Sequence, residues 1–238
     1  MLVFDGHAFD GLLIYGDPTI TLFQSDPSYI DSSSRDGRAV NGIRYDGWTV
    51  EFSIVVDGDA LTRRDKLSTL GSWLDVDEPK KLILPDTPDR YYMAVPDGEL
   101  RLTRGMKAEY GRLAFTVTEP TAYGEEHSIT VPSGGSVTFH VGGTAATKPT
   151  IEANAIRDAS SLVWGLRLDD GDFVHVATGS SSAKPVSIDC DERISTVDGS
   201  VALPSLDSDW LALAPGEHTL AMDNGTGAAT VTWRERWY

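Results

Sequence analysis

The chain has 238 residues, 40% hydrophobic and 24% charged, a globular composition with room for one large β domain or two of roughly 100–120 residues. Its formal charge of −16, from 36 acidic against 20 basic residues, argues against nucleic-acid recognition and against anionic membrane surfaces, because both need a Lys/Arg surface. A single cysteine, Cys190, excludes an internal disulfide framework and a multi-cysteine zinc site, so burial alone must hold the fold.

The opening MLVFDGHAFDGLL carries acids, no basic leader and no sustained apolar run. Neither a signal peptide nor a transmembrane helix is expected, and a reducing cytoplasm suits the chain's synthesis. Asp-Gly recurs at 5, 10, 36, 46, 57, 97, 170 and 198, and Asn-Gly at 41 and 224. These dipeptides accept the positive φ of tight turns and so predict many short antiparallel strands. Residues 26–47, DPSYIDSSSRDGRAVNGIRYDG, set turn residues between two strand patterns and read as an extended hairpin arm. In WTVEFSIVV (48–56), Trp48, Val50, Phe52, Ile54 and Val56 share one face and Thr49, Glu51 and Ser53 the other, which predicts a half-buried strand of firm register.

From 59 to 74 the period changes. Leu67, Leu70 and Leu74 form a helical stripe, with Ala60, Arg63 and Arg64 leading in and Asp59 placed to cap the first turn. Pro79 forbids continuation, so one helix over about 59–74 is expected against a sheet. Next comes LILPDTPDRYYMAVPDGEL (82–100), where prolines 85, 88 and 96 surround Asp86, Asp89, Arg90, Tyr91 and Tyr92. Two carboxylates, a guanidinium and two phenols could serve chemistry or hold two strands in register. The corner reading has Asp86 or Asp89 holding Arg90, with Tyr91 and Tyr92 on opposite faces of the following strand. GRLAFTVTE (111–119) predicts another strand, and EPTAYGEEHS (119–128) a boundary, giving domains 1–124 and 125–238. The second half continues with SVTFHV (136–141), TIEANAI (150–156) and ATVTWRERW (229–237).

Few residues form a chemical pattern. His7, His127, His140, His175 and His218 are scattered singly, and no metal or cofactor site is expected from them. LDDGDF (168–173) lacks the acid spacing and closing glutamate of a calcium loop and reads as a turn at Asp170-Gly171. Cys190 sits among acids in SIDCDERI, which disfavours a reactive thiolate, and neither a G-x-S-x-G elbow nor a glycine-rich phosphate loop is present. Acids are abundant enough to pair anywhere, yet nothing singles out a catalytic pair. Trp164, Trp210, Trp233 and Trp237 all lie in the second half. Alternation places Trp164 and at least one of Trp233 and Trp237 inside, and leaves Trp210 as the candidate for stacking on a sugar ring.

Taken together these residues resemble the siphophage distal tail protein (Dit) family. FDG (4–6), WTVEFSIVV (48–56), the helix ALTRRDKLSTLGSWL (60–74), the LILPDTPDRYYMAV corner (82–95) and FTVTEPTAYG (115–124) carry the likeness in the first half. KPTIEA (148–153), SIDCDERIST (187–196), LAPGEHTL (213–220) and VTWRERWY (231–238) carry it in the second. The resemblance implies a mainly β chain of two β-sandwich-like domains, the first with a single α-helix, the second galectin-like. It also implies a non-enzymatic virion part at the tail tip: a homohexameric ring that joins the tail tube to the tail-associated hub and carries receptor-binding or other baseplate proteins. The alternative is a carbohydrate-binding or host-adhesion module, although the His-x-Asn-x-Arg signature of galectins is absent.

Overall fold

The computed structural model describes residues 1–21, 25–31, 36–169, 171–179 and 182–238. Among these the chain is mainly β with one α-helix, and it divides into two compact units, Met1–Ala122 and Tyr123–Tyr238.

The first unit contains β1 (Val3–Phe4), β2 (His7–Ala8), β3 (Ile14–Tyr15), β4 (Thr19–Thr21), β5 (Ser25–Asp31), β6 (Arg38–Tyr45), β7 (Trp48–Asp57), α1 (Ala60–Leu74), β8 (Lys80–Ile83), β9 (Tyr92–Asp97), β10 (Leu102–Arg104) and β11 (Ala108–Val117). Its frame is the antiparallel ladder of β7 and β11, which pairs Trp48 with Val117 and Asp57 with Ala108 at its ends. The predicted alternation holds along β7, where Trp48, Val50, Phe52, Ile54 and Val56 are all buried. Leu113, Phe115 and Val117 of β11 meet them on the same face. Each such side chain contributes roughly 1.5–3 kcal/mol by leaving water. Short strands flank the ladder, β3 and β4 along β7, β9 and β10 along β11, and the sheet continues from β9 through β8 and β1 to β2.

This sheet is strongly curled. Two strands, β8 and β9, separate β1 from β11, which in a flat sheet would hold them about 14 Å apart. Yet the rings of Phe4 and Phe115 lie 4.9 Å apart, centre to centre, so the sheet folds over its own core. Helix α1 packs there. Asp59 caps it by accepting a hydrogen bond from Thr62 N at 2.8 Å, and Leu70 is buried with Leu67, Trp73 and Leu74 beside it. Arg63 follows the same stripe and is only 6% exposed. Its Nη1 donates to Gly58 O at 2.7 Å, and its Nε lies 3.5 Å from the Glu109 carboxylate, itself buried on the inner face of β11.

The second unit holds β12 (Ala122–Val131), β13 (Ser136–Val141), β14 (Thr150–Arg157), β15 (Val163–Leu168), β16 (Phe173–Ala177), β17 (Lys184–Asp189), β18 (Ile194–Val197), β19 (Ser200–Val201), β20 (Gly216–Asp223), β21 (Gly225–Thr226) and β22 (Ala229–Trp237). One sheet runs β12-β22-β14-β17-β18-β19 with β21 on β14; the other runs β13-β20-β15-β16. Both contribute to one hydrophobic core, which makes a two-sheet sandwich. Trp164 is fully buried there, its indole N–H donating to Thr226 O at 3.1 Å, and Trp233 is buried beside Phe139.

Turn dipeptides prove to serve two purposes. Asp198-Gly199, both at positive φ (55° and 74°), makes the two-residue hairpin between β18 and β19. Gly47 is different: it lacks positive φ, and a Cβ there would stand 2.1 Å from Val117 O, so its missing side chain admits the neighbouring backbone. Asn41-Gly42, expected to be a turn, lies inside β6. Of the loop expected at 168–173, Asp170 lies outside the described residues, while Gly171 N donates to Leu168 O at 3.0 Å.

Candidate assembly surface

Strands β5 and β6 pair only with each other, forming a two-stranded sheet apart from the nine-stranded one. Register runs from Ser25 opposite Tyr45 to Asp31 opposite Arg38, with an irregularity at Ser28/Tyr29 where Asn41 on β6 has no partner. Without that extra residue, strict alternation would turn Val40 to the opposite face from Ile43. With it, Pro27, Tyr29, Val40, Ile43 and Tyr45 gather on one face of the ribbon. Asp26, Ser28 and Arg44 occupy the other, together with Ile30, itself 52% exposed.

That apolar face is uncovered in the single chain. Tyr29 is 50%, Val40 58%, Ile43 55% and Tyr45 44% exposed, and none belongs to the hydrophobic core of the unit. An isolated two-stranded hairpin is marginal in water, and a rimmed apolar face of this kind marks a site of association. Arg38 lies over the Tyr29 ring at 5.7 Å, holding the tip of the face in place. Pro27 offers no amide to a further strand, so the face rather than the β5 edge is the natural contact. The hairpin arm expected over 26–47 therefore exists as a hairpin, with 32–35 outside the described residues.

The proline corner is built from two successive tight turns. Thr87 N donates to Leu84 O at 3.3 Å and Arg90 N to Thr87 O at 3.2 Å, so each turn has proline in its second position and aspartate in its third. Neither Asp86 nor Asp89 has positive φ, which makes both turns type I. Asp89 lies 3.3 Å from Arg90 Nε. Tyr92 packs edge-on against Trp48 at 5.1 Å on the core side, while Tyr91 lies under the Lys81 ammonium at 4.6 Å. Burial holds the Tyr92 phenol above its ordinary value, with Asp86 and Asp89 adding to the effect and Arg90 opposing it. The five residues are thus brought together as a strand connector.

Trp210 is half-buried and packs against the core of the second unit instead of standing free, which corrects its expected exposure. Its position follows from the preceding segment, where Asp209 N donates to Phe173 O at 2.8 Å and draws the chain onto β16. Cys190 is fully buried; burial first, then Asp189, pushes its thiol up to about 12. His175 is buried on β16 with its Nε2 at 2.9 Å from Asp223, which Arg167 also holds at 2.7 Å. Burial raises the Asp223 carboxyl, but the bonds from His175 and Arg167 outweigh it and leave the group below its ordinary value. Among the described residues no cluster of three or more His, Cys, Asp or Glu could hold a metal ion.

Sequence reasoning missed the buried Arg63–Glu109 pair, although a signal existed. Arg63 stands four residues before Leu67 on the apolar stripe, and Glu109 has the parity of Leu113, Phe115 and Val117.

Comparison with known proteins matches both halves. Residues 11–117 match the phage tail protein RIFT-related domain family, and residues 142–237 the siphovirus-type tail component, C-terminal domain. The distal tail protein of Bacillus phage SPP1 is 26% identical over 195 residues, spanning 79% of this chain and 74% of that protein. The crystal structure of SPP1 Dit, described as a paradigm of the hub adsorption apparatus in phages infecting Gram-positive bacteria, superposes with a TM-score of 0.78 at 19% identity, covering 100% of this chain and 98% of that one. A chain of the phage P2 baseplate in its activated conformation with Ca aligns with a TM-score of 0.46 at 12% identity, over 95% and 91%. With tail-component domains matched in both halves and a distal tail protein related along most of its length, the chain belongs to the siphophage distal tail protein family.

Proposed function

We propose that this tail-tip component acts as a ring subunit, six copies closing into a hub between the tail tube and the host-adsorption apparatus. The observation that carries the reading is the uncovered apolar face of the β5–β6 ribbon. A closed ring is a head-to-tail assembly, so each subunit needs one projecting patch and one different receiving patch. The ribbon supplies the projecting one. Covering the exposed halves of Tyr29, Val40, Ile43 and Tyr45 contributes about 1 kcal/mol each, a useful share of one subunit contact. The number six, the tail tube and hub as neighbours, and the docking of receptor-binding or other baseplate proteins rest on the family. The role is structural and not catalytic, which the buried, unreactive Cys190 supports. The alternative, glycan binding at Trp210, rests on a side chain that is half-buried against the core of the second unit.

The test is the oligomeric state of a double variant, Tyr29→Asp with Ile43→Asp, by native mass spectrometry and negative-stain imaging across protein concentration. Wild type forms rings as concentration rises, whereas the variant remains monomeric with an unchanged melting profile, because neither residue belongs to a core. Rings of undiminished stability in the variant would remove the ribbon from the contact. A wild type that never closes, even with tail partners present, would remove the ring.

A further inference from the structure

Head-to-tail closure needs a receiving patch to match the ribbon, and the ladders of the first sheet mark one out. Ile14 pairs with Val55, Val55 with Tyr110, and Tyr110 with Thr103. Residues directly opposite in antiparallel strands share a face, so these four form one row across β3, β7, β11 and β10. The row lies on the outer face, because Ile54 and Val56 on either side of Val55 are buried. Ile14 is 57% and Tyr110 55% exposed, Val55 is half-buried between them, and none of the three belongs to the core of the unit.

Charges beside the row are already matched. The Ser53–Arg112 pair flanks it on one side and the Asp57–Ala108 pair on the other. Arg112 meets Glu51 at 3.2 Å, and Asp57 meets Lys66 at 2.6 Å. The result is an apolar ridge between two ion pairs, which leave an apolar occupant no unpaired charge to cover. Other exposed large apolar residues of this unit, outside the ribbon, build no such row: Met1, Leu61 and Met106 lie outside the strands, and Ile20 stands opposite buried Val50.

Shape points the same way. The ridge runs across its strands through three inter-strand steps, about 14 Å. The apolar face of the ribbon runs along its strands, from Val40 to Tyr45 on β6, also about 17 Å at the usual rise per residue. Laid lengthwise on the ridge, the ribbon crosses the strands beneath it near a right angle, one of the two stable ways for sheets to pack. Laid along those strands, much of its face would instead cover Glu51, Ser53 and Arg112.

We infer that the Ile14–Val55–Tyr110 ridge receives the β5–β6 ribbon of a second copy of this chain. The inference rests on the ring reading above and supplies the other half of its contact.

The experiment mixes two subunits, each broken on one side. The ridge variant, Ile14→Asp with Tyr110→Asp, keeps its ribbon; the ribbon variant, Tyr29→Asp with Ile43→Asp, keeps its ridge. Each alone stays monomeric at about ten times the concentration at which wild type assembles, with a wild-type melting profile, since all four residues are exposed and outside the core. Mixed one to one, they form a heterodimer and nothing larger in native mass spectrometry, because its two free ends carry the broken ridge and the broken ribbon. Ile43→Cys in the ridge variant and Val55→Cys in the ribbon variant let a short bismaleimide trap the contact, and the buried Cys190 adds no competing thiol. If the ridge variant melts early, Tyr110→Lys alone takes its place. Ridge variants that still close into rings, or a mixture with neither heterodimer nor cross-link, would overturn the inference. Rings from the ribbon variant would remove the ribbon and overturn it too. A wild type that never closes would remove the ring, and the mixture still decides the contact, because a heterodimer needs no closure.

Discussion

Replacing Glu109 by glutamine keeps the shape of the buried pair beneath α1 and removes one charge. Arg63 Nε and the Glu109 carboxylate are 3.5 Å apart and both side chains are about nine-tenths buried. At an effective dielectric of about 20 their attraction is roughly 5 kcal/mol, most of it opposed by the cost of taking both ions out of water. Losing one partner exposes that cost. The Arg63 Nε makes no hydrogen bond among the described residues, and only the Nη1 bond to Gly58 O remains to compensate. Glu109→Gln is therefore expected to destabilise the first unit by about 3 kcal/mol, the lower end of the range for a broken buried pair. Calorimetry of the full chain reads this as a drop of roughly 10 °C in the transition of the first unit, with the second transition unmoved. The paired replacement Arg63→Met with Glu109→Leu is expected within about 1 kcal/mol of wild type, since both buried ions leave together and Arg104, the carboxylate's second partner at 3.6 Å, is itself exposed to water. A single variant indistinguishable from wild type, or a double variant as unstable as the two singles summed, would refute the argument.

At the proline corner, Tyr92→Ala is expected to cost about 2–3 kcal/mol through lost packing on Trp48, and Tyr91→Ala less than about 1 kcal/mol; equal costs in urea titrations would contradict the opposite-face arrangement. Asp223→Asn should destabilise the second unit at neutral pH. Because its folded carboxyl is held below the unfolded value, that contribution is present above about pH 4 and is lost as pH falls through the folded value, so variant and wild type converge in acid; a gap that persists undiminished there would argue otherwise. Cys190 should resist iodoacetamide at pH 8 in the folded chain and react when the second unit is unfolded, and modification at equal rates in both states would place the thiol at the surface.

Periodicity made much of this fold legible. The five inward residues of β7 and the Asp59-capped helix stand where alternation and capping place them, because both are local rules carried by neighbouring side chains. The proline corner was legible as a corner, and the Asp89–Arg90 contact within it is local, between sequence neighbours. Charge hid the Arg63–Glu109 pair, since a charged residue on an apolar stripe reads as an interruption until its partner is known. Asn41-Gly42 misled for a similar reason. Its turn propensity is expressed as an extra residue inside β6, and the consequence, Val40 joining Ile43 on one face, depends on pairing with β5.

The two hydrophobic cores share no residue, and every strand of the first sheet lies at or before Val117. During synthesis the first unit thus has all its sheet partners in hand while the second is still being translated. The β5–β6 ribbon thus presents its exposed apolar face beside ribosomes making the second unit and further copies of the chain, so what covers that face becomes a matter of local copy number as much as of affinity.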